Sequence, residues 1–409
     1  MHWLIARWRD APLYLRIVLA LGLGAALGLV IGPVAAGLAY PGQLVLRLLG
    51  ALAPPLILFA IIHALMSTEL RGGLSLRLAG LLLLNTLVAI GIGLLVANLL
   101  QPGAGATLSI PSAPGGTGTG ANPWTALLDN IPKSLLGPLG DNGRVLGVIL
   151  LAVAFGVALR GERERRLGSV QDLVELGFIC LRRILMWVIA LVPLAVFGIA
   201  ASLVGTRGFQ DFAALGWFVL SVLAALLLQA IYYLARIRYG SWVRPWAVLQ
   251  GMRDALTMAF STASSTATMP VTYACLRERV GLRERSATLG AFVGANFNND
   301  GTALYEAMAA LFIAQVTGIQ LPFETQLMLV LTSVVASVGA AGIPEAGLVT
   351  MTLVFTAVGL PVEYIGVLLT VDWFLDRCRT TINVMGDVNV SCLLDGRQPQ
   401  AAPCASEPL

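Results

Sequence analysis

The sequence predicts an all-α membrane protein whose helices cross the bilayer several times. Of its 409 residues, 57% are hydrophobic and only 12% are charged, whereas soluble domains carry about 25% charged residues. The mean hydropathy is +0.83, which points the same way. Backbone groups in lipid must form hydrogen bonds within their own segment, so the apolar runs are predicted to be helices. The same composition excludes disordered, collagen-like and disulfide-scaffold proteins.

Eight apolar runs are predicted to span the bilayer, which takes about 20 residues as a helix. They lie near 15–39, 43–66, 76–100, 143–160, 180–203, 211–235, 286–315 and 361–393. Two more apolar stretches, 255–276 and 326–358, are each interrupted by small polar or Gly/Pro residues. Such interruptions favour re-entrant helical hairpins over simple spans.

The distribution of arginine predicts the orientation. Arginine-rich loops alternate along the chain with loops that carry almost no positive charge. Because positively charged loops stay on the cytoplasmic side, we expect a multi-pass protein of the cell (inner) membrane with both termini cytoplasmic. The Gly- and Pro-rich segment 101–142 is then an external loop, and 396–409 is expected to be a disordered cytoplasmic tail.

Charge and residue usage argue against several functions. Lys+Arg 26 and Asp+Glu 22 give a net charge of +4, too small to indicate a nucleic-acid partner. The five cysteines form no CxxC pair and only two histidines occur, so we expect no cofactor and no enzyme activity. An intramembrane hydrolase is the enzyme alternative, but the sequence VMGD at 384–387 lacks the first glycine of the GxGD protease signature.

The C-terminal half contains a weak internal repeat. An interrupted stretch at Ser261–Thr268 precedes a helix carrying the NNDGT sequence at 298–302, and a second at Gly339–Gly347 precedes a helix carrying Asn383 and Asp387. Paired interrupted segments in corresponding positions are typical of the binding site of a secondary transporter. Each stretch has a simpler interpretation: small polar residues also pack helices closely, and a Gly-rich segment is often an ordinary loop.

The last predicted helix carries an unusual polar stripe. Its members, spaced three or four residues apart, lie on one face of the helix. They are Asp372, Asp376, Arg379, Asn383 and Asp387. Arg377 lies off this face. Each ionisable group facing lipid would cost about 2.5–3.5 kcal/mol, so the stripe is predicted to face a polar cavity. The alternative is a set of intrahelical Asp–Arg pairs that tie helices together.

The chemistry of the stripe indicates a zwitterionic, acidic ligand with accompanying cations. Asp376 suits an ammonium group, and the guanidinium of Arg379 suits a carboxylate. Asp300 and Asp387 offer hard oxygen ligands, which suit an alkali cation or a proton rather than zinc. Glu306 lies one helical turn after Thr302 and has two interpretations, a buried structural acid or a carboxyl that takes up a proton during transport.

From about Ser261 to Asp387 the chain resembles the dicarboxylate/amino acid:cation symporter family, which includes the excitatory amino-acid transporters. Four segments carry the resemblance: SSTATMPVT, NNDGTALYEAMAALFIAQ, SVGAAGIPEAGLVTM and VDWFLDRCRTTINVMGD. It implies a glutamate-transporter fold of eight transmembrane helices and two re-entrant hairpins with inverted repeats, assembled as a homotrimer. In that fold a transport domain moves like an elevator against a scaffold.

The resemblance also implies a division of the chain. The scaffold would comprise 1–75 (spans one and two) and 143–205 (spans four and five). The transport domain would comprise 76–100 (span three) and 206–395 (span six, first hairpin, span seven, second hairpin, span eight), with 101–142 as the external loop between them.

Site residues follow from the same resemblance. Those expected to bind the substrate are Ser264, Ser265, Thr302, Asp376, Arg379, Thr380 and Asn383, supported by Asp372 and Arg377. Those expected to bind sodium are Asp387 with Gly294, Asn298 and Asn383; Asp300 with Asn298 and Thr86; and Asn296 with Ser337, Val338 and Ala340. Glu306 matches the position that carries a proton in some members.

The expected function is import of glutamate or aspartate with sodium ions, with a proton as a further co-transported ion and potassium as a candidate counter-ion. Arg379 favours an acidic substrate and Asp376 an amino acid, because neutral exchangers and C4-dicarboxylate members lack these residues. Departures from the family pattern at Leu81, Leu82, Asn299 and Glu345 leave the coupled ions open. The alternatives are a proton-driven acidic amino-acid or dicarboxylate carrier without sodium dependence, and an anion channel.

Overall fold

The computed structural model describes residues 11–67, 73–106, 134–135, 137, 151, 154–159, 162, 167–208, 210–339 and 346–398. Within these ranges the chain is helical and contains no strand, which confirms the all-α class. Most of the predicted external loop, most of the fourth predicted span, Ala340, Glu345 and the tail from 399 onward lie outside the described residues.

The helices of the N-terminal half contain 16 to 31 residues each. Their bounds are α1 Leu13–Ile31, α2 Tyr40–Ser67, α3 Gly73–Leu100, α4 Val170–Ala190, α5 Val192–Arg207 and α6 Gln210–Gly240. A 3₁₀ segment, Gly32–Ala39, joins α1 to α2. Helix α4 begins with a capping box in which Ser169 and Asp172 satisfy each other's backbone amides.

The C-terminal half contains several short helices and ends in a long one. They are α7 Pro245–Gly251, α8 Arg253–Thr262, α9 Ser265–Ala274, α10 Glu284–Thr288, α11 Gly294–Phe297, α12 Asp300–Thr317, α13 Phe323–Gly339, α14 Ala346–Ala357 and α15 Ile365–Asp395. Two π-helical segments, Cys275–Val280 and Leu289–Val293, adjoin α10. A 3₁₀ turn at Val362–Tyr364 leads into α15.

The distribution of polarity is the reverse of that in a soluble protein. Large apolar side chains lie on the outside, such as Val30 and Phe323 at 82% and 81% exposure, whereas Asp300 and Arg379 are fully buried. Such an exterior suits lipid. In the part of the chain described here, four helical segments are long and apolar enough to cross a membrane: Leu13–Leu52, Leu76–Leu100, Val170–Thr206 and Ala213–Gly240.

The expected eight spans with two re-entrant hairpins therefore stay a prediction in their finer detail. Helix α15 is not uniformly apolar, because it carries the charged stripe. The run 286–315, expected as one helix, is in fact interrupted. It passes through α10, a π-helical segment and α11, and then leaves helical geometry at Asn298 and Asn299 before α12 begins.

The first interrupted stretch forms two short helices that meet at Ala263 and Ser264. Ala263 adopts a left-handed conformation with φ of 51°, which turns the chain between α8 and α9. The Ser264 hydroxyl accepts a hydrogen bond from the amide of Ala267 at 3.2 Å and caps α9. The second stretch likewise provides two helices, α13 and α14, which pack against each other.

Helix α15 lies at the centre, in contact with α3, α5, α6, α8, α9, α11 and α12. Its polar face is enclosed by these neighbours. Elsewhere α1 packs mainly on α5, α2 on α4, and α3 on α12. This pairing is compatible with the expected grouping of helices, but the division into a scaffold and a moving domain stays a prediction.

Candidate functional site

A fully buried guanidinium lies at the centre of the candidate substrate site. Arg379 contacts Asp376 through Nη2 at 2.8 Å and Asp372 through Nη1 at 3.0 Å. Its Cζ lies 4.1 Å from the centre of the Tyr305 ring on α12. All three charged groups come from α15, so helical spacing alone brings them together.

The cluster bears on both interpretations of the polar stripe, the Asp–Arg pairs and the ligand site. The Asp–Arg pairs exist, as the simpler interpretation required. Two carboxylates nevertheless face one guanidinium, so with both ionised the cluster carries one excess negative charge. In addition, Nε of Arg379 has no hydrogen-bond partner among the described residues. A ligand with both an ammonium and a carboxylate group would complement both features.

The interruption between α11 and α12 meets α15 one turn beyond Arg379. The Asn383 Oδ1 accepts a hydrogen bond from the Gly301 amide at 2.8 Å, and its Nδ2 lies 3.4 Å from the Thr302 hydroxyl. A Cβ on Gly301 would lie 2.6 Å from the carbonyl oxygen of Arg379, so the backbones approach as closely as glycine allows. The structure therefore brings together Thr302 and Asn383, two of the residues expected to bind the substrate.

The remaining predicted substrate residues are also buried. Thr380 follows Arg379 on α15 and is 5% exposed. Ser264 and Ser265 lie at the N-terminus of α9, where the Ser265 hydroxyl donates to the carbonyl of Ala295 at 3.2 Å. The start of α14 closes the other side, because a Cβ on Gly347 would lie 3.1 Å from the guanidinium nitrogens of Arg379.

The first predicted sodium site gathers buried oxygen atoms around Asp387. The Asn298 Nδ2 donates to the Asp387 Oδ1 and to the Asn383 carbonyl, both at 3.1 Å. A Cβ on Gly294 would lie 2.5 Å from the same carboxylate oxygen. The four residues thus form one cluster of carboxylate, carbonyl and amide groups, which suits a hard cation such as sodium.

The second predicted sodium site surrounds Asp300. Its two carboxylate oxygens accept hydrogen bonds from the Thr86 hydroxyl at 2.7 Å and from the Tyr233 hydroxyl on α6. Next to Thr86, the buried Asn85 accepts a hydrogen bond from the guanidinium of Arg236. Asn298, the other predicted ligand, directs its amide nitrogen to Asp387 instead.

The third predicted sodium site is described only in part. The carbonyl of Ser337 accepts a hydrogen bond from Nδ2 of Asn299 at 2.8 Å. Asn296 is half-buried and donates to the carbonyl of Phe292, within its own turn. Val338 lies in α13 and only its backbone is described, while Ala340 lies outside the described residues.

Glu306 and Arg377 lie at the margins of the cluster. Glu306 is fully buried on α12 and accepts a hydrogen bond from the Thr350 hydroxyl of α14. Its other oxygen has no hydrogen-bond partner in the described part of the chain. Arg377 faces away from Arg379 and donates to the carbonyls of Phe260 and Ser261, each at 2.7 Å, at the end of α8.

Comparison with known proteins decides the family. Residues 13–397 match the sodium:dicarboxylate symporter family. The chain belongs to this family. It is 32% identical to the mouse excitatory amino acid transporter 4, with 85% of this chain and 75% of the relative covered. The salamander excitatory amino acid transporter 1 is 30% identical over the same shares. An excitatory amino acid transporter from Caenorhabditis elegans is 39% identical over 64% of this chain and 52% of its own.

This symporter family and these relatives are transporters, not enzymes, so the hydrolase alternative is wrong. The resemblance inferred from the four C-terminal segments is confirmed. Together with the apolar helices, family membership indicates a multi-pass membrane protein that transports small molecules.

Sequence reasoning missed two residues of the Asp300 cluster, Tyr233 and Arg236. Both lie in α6, but Tyr233 belongs to the predicted apolar span 211–235, whereas Arg236 follows it and is expected from the sequence to lie in an arginine-rich loop. A signal was present, because an arginine and a tyrosine one turn apart near the end of such a span are expected to have polar partners. Their partners on α3 and α12 lie 151 and 67 residues away, which is why spacing could not identify them.

Proposed function

We propose that this protein is a secondary active symporter that imports acidic amino acids, glutamate or aspartate, coupled to sodium ions. The observation that carries the proposal is the buried cluster of Asp372, Asp376 and Arg379, with one more negative than positive group. Its relatives are named for amino-acid transport, and its charges are those that an acidic amino acid complements.

Binding would proceed by exchange of partners. The substrate ammonium replaces the Arg379 guanidinium beside Asp376, and a substrate carboxylate replaces the Asp376 carboxylate beside Arg379. Each buried charge then keeps a partner throughout, which matters because an unpaired buried charge is costly. Asp372 holds the guanidinium in place during the exchange.

The other substrate contacts follow from the helix ends around this cluster. Asn383 and the N-terminus of α9 at Ser264 and Ser265 would bind the α-carboxylate, because the first amides of a helix attract anions. Thr302 would lie beside the substrate side chain and Thr380 beside its amino group. All five residues are buried.

Sodium ions would be carried at the cluster of Asp387, Gly294, Asn298 and Asn383, and at the carbonyls of Asn296, Ser337, Val338 and Ala340. A sodium ion moving down a tenfold gradient supplies about 1.4 kcal/mol. Its charge supplies about 2.3 kcal/mol more across about 100 mV. The number of coupled ions therefore sets the concentrating power.

Glu306 is the candidate for a co-transported proton. It is fully buried on the helix that carries Thr302, and one carboxylate oxygen has no hydrogen-bond partner among the described residues. This observation favours the second candidate function, a proton-driven carrier of acidic amino acids.

We further propose that the protein forms a homotrimer in the cell (inner) membrane, with both termini cytoplasmic. The transport domain, α3 with α6–α15, would move like an elevator against a scaffold of α1, α2, α4 and α5. The packing of α1 on α5, α2 on α4 and α3 on α12 supports this grouping.

The experiment is uptake of radiolabelled glutamate and aspartate by purified protein in liposomes, with sodium, proton, potassium and no gradient imposed separately. Accumulation driven by an inward sodium gradient is expected. Accumulation that ignores sodium and follows protons would support the proton-driven carrier. Chloride current without amino-acid uptake would support an anion channel and contradict the proposal.

A further inference from the structure

A fixed positive charge lies beside the second predicted sodium site. The Arg236 guanidinium of α6 donates a hydrogen bond to the Asn85 side chain of α3, which is fully buried. Its Cζ also lies 5.4 Å from the centre of the Tyr232 ring. The partly buried guanidinium is thus held between α3 and α6 by these two contacts.

The buried Asp300 carboxylate lies near this guanidinium, because its two hydroxyl donors adjoin the Arg236–Asn85 pair. Thr86 follows Asn85 on α3, and Tyr233 precedes Arg236 by one turn on α6. Both of its oxygens already accept hydrogen bonds, from Thr86 at 2.7 Å and from Tyr233. The neighbouring oxygen of Asn85 accepts from Arg236. The oxygens that would surround a cation here are therefore engaged by protein donors, with a positive charge already nearby.

The Asp387 cluster differs in this respect. Asp387 is equally buried and accepts a hydrogen bond from the neutral amide of Asn298. Among the described residues, no cationic side chain donates a hydrogen bond to Asp387 or to its partner Asn298. A buried carboxylate without a cationic partner needs a mobile cation, whereas one with a tethered cation does not.

We infer that Arg236 is the permanent counter-ion of Asp300 and takes the place of one transported sodium ion in this protein. This inference rests on the proposed function and deepens it. It replaces the expectation of a sodium ion at Asp300, Asn298 and Thr86. A second cation there would be repelled by the guanidinium and would have to displace the Thr86 and Tyr233 hydroxyls.

The first test needs no substrate. Arg236→Gln removes the charge and leaves Asp300 without a counter-ion, so the purified variant should become more heat-stable in sodium chloride than in choline chloride by a larger margin than the wild type. Arg236→Lys keeps the charge and should behave like the wild type. The matched control is Arg238→Gln, which removes the same charge from an exposed position on the same helix.

The second test measures coupling. Each coupled sodium ion makes the apparent substrate affinity depend on one further power of the sodium concentration. When sodium is increased tenfold, the affinity of Arg236→Gln should therefore increase by a factor about ten times larger than that of the wild type. Dual-label uptake with ²²Na⁺ and radiolabelled aspartate should show more sodium per substrate in the variant. A sodium response of Arg236→Gln equal to that of Arg238→Gln overturns the inference.

A folding failure of Arg236→Gln is also informative. The double variant Arg236→Gln with Asp300→Asn removes both charges, and should restore folding in choline chloride and abolish the extra sodium response. Failure of the double variant to fold contradicts the counter-ion role. If no variant transports acidic amino acids yet the sodium stabilisation of Arg236→Gln appears, the proposed function fails and the counter-ion role stands.

Discussion

At the residue scale, Arg379 is a fully buried charged side chain, and its neighbours show why its burial is tolerated. Two carboxylates contact its nitrogens and the Tyr305 ring covers its face. Buried ion pairs of this kind contribute little net stability, because desolvation offsets the attraction. Their presence in a membrane helix is therefore better explained by function than by folding.

Replacing Arg379 by cysteine should abolish binding of acidic amino acids. The substrate carboxylate would lose its desolvated partner, which costs about 2–5 kcal/mol, a loss of roughly 30-fold or more in affinity. Neutral amino acids should become acceptable ligands. Competition binding with glutamate and serine on the purified variant measures both effects.

The conservative variant Arg379→Lys separates charge from shape. It keeps the positive charge but not the paired donors, so glutamate should still bind, more weakly than in the wild type. Arg377→Cys is the matched loss of charge, because Arg377 faces the end of α8 instead. Wild-type glutamate affinity in Arg379→Cys would refute the assignment of the pocket.

Glu306→Gln tests the proton. If Glu306 carries a proton inward with the substrate, uptake by the wild type should increase as the external pH falls, and uptake by the variant should be independent of pH. Glutamine preserves the size of the side chain and an oxygen that can accept from the Thr350 hydroxyl. Initial rates at matched sodium over a series of pH values give the answer. An unchanged pH profile would return Glu306 to a structural role.

At the element scale, the interruptions of the helices place the site. The break at Ala263 and Ser264 could be predicted, since a run of small polar residues interrupts an apolar stretch there. The break at Asn298 and Asn299 was not predicted, since the polar NNDGT sequence lies inside a run that was expected to be one helix. It depends on tertiary hydrogen bonds, from the Gly301 amide to Asn383 and from Asn299 to the Ser337 carbonyl. Such contacts are invisible to local pattern.

Gly294→Ala should impair the Asp387 cluster. The added methyl group would lie 2.5 Å from Oδ1 of Asp387, so the carboxylate has to move, at a cost of about 1–3 kcal/mol. The midpoint sodium concentration for substrate binding should rise, and the stabilisation of the purified protein by sodium should shrink. Sodium titrations followed by thermal unfolding measure both.

The control for that change is Gly91→Ala on α3, where an added Cβ meets nothing within 4 Å. It should leave the sodium midpoint unchanged and stabilise the helix by up to about 1 kcal/mol. Equal sodium midpoints in Gly294→Ala and the wild type would exclude Asp387 from ion binding.

At the scale of the whole molecule, the composition was enough to predict the all-helical class, and four sequence segments were enough to predict the family. The substrate cluster could be predicted because its charged members lie on one face of one helix. The surroundings of Asp300 could be predicted only in part. Thr86 on α3 followed from the resemblance, whereas Tyr233 and Arg236 on α6 and Asn85 on α3 did not. Only the packing of three helices brings these side chains together.

The central claim is that the buried cluster on α15 accepts one ammonium and one additional carboxylate from the same ligand. Calorimetric binding to the purified protein in sodium, with aspartate, glutamate, succinate and alanine in parallel, tests it most directly. Aspartate or glutamate should bind, while succinate, which lacks the ammonium, and alanine, which lacks the second carboxylate, should bind at least tenfold more weakly, about 1.4 kcal/mol or more. Succinate binding as tightly as aspartate, or no binding by either acidic amino acid, would contradict the account.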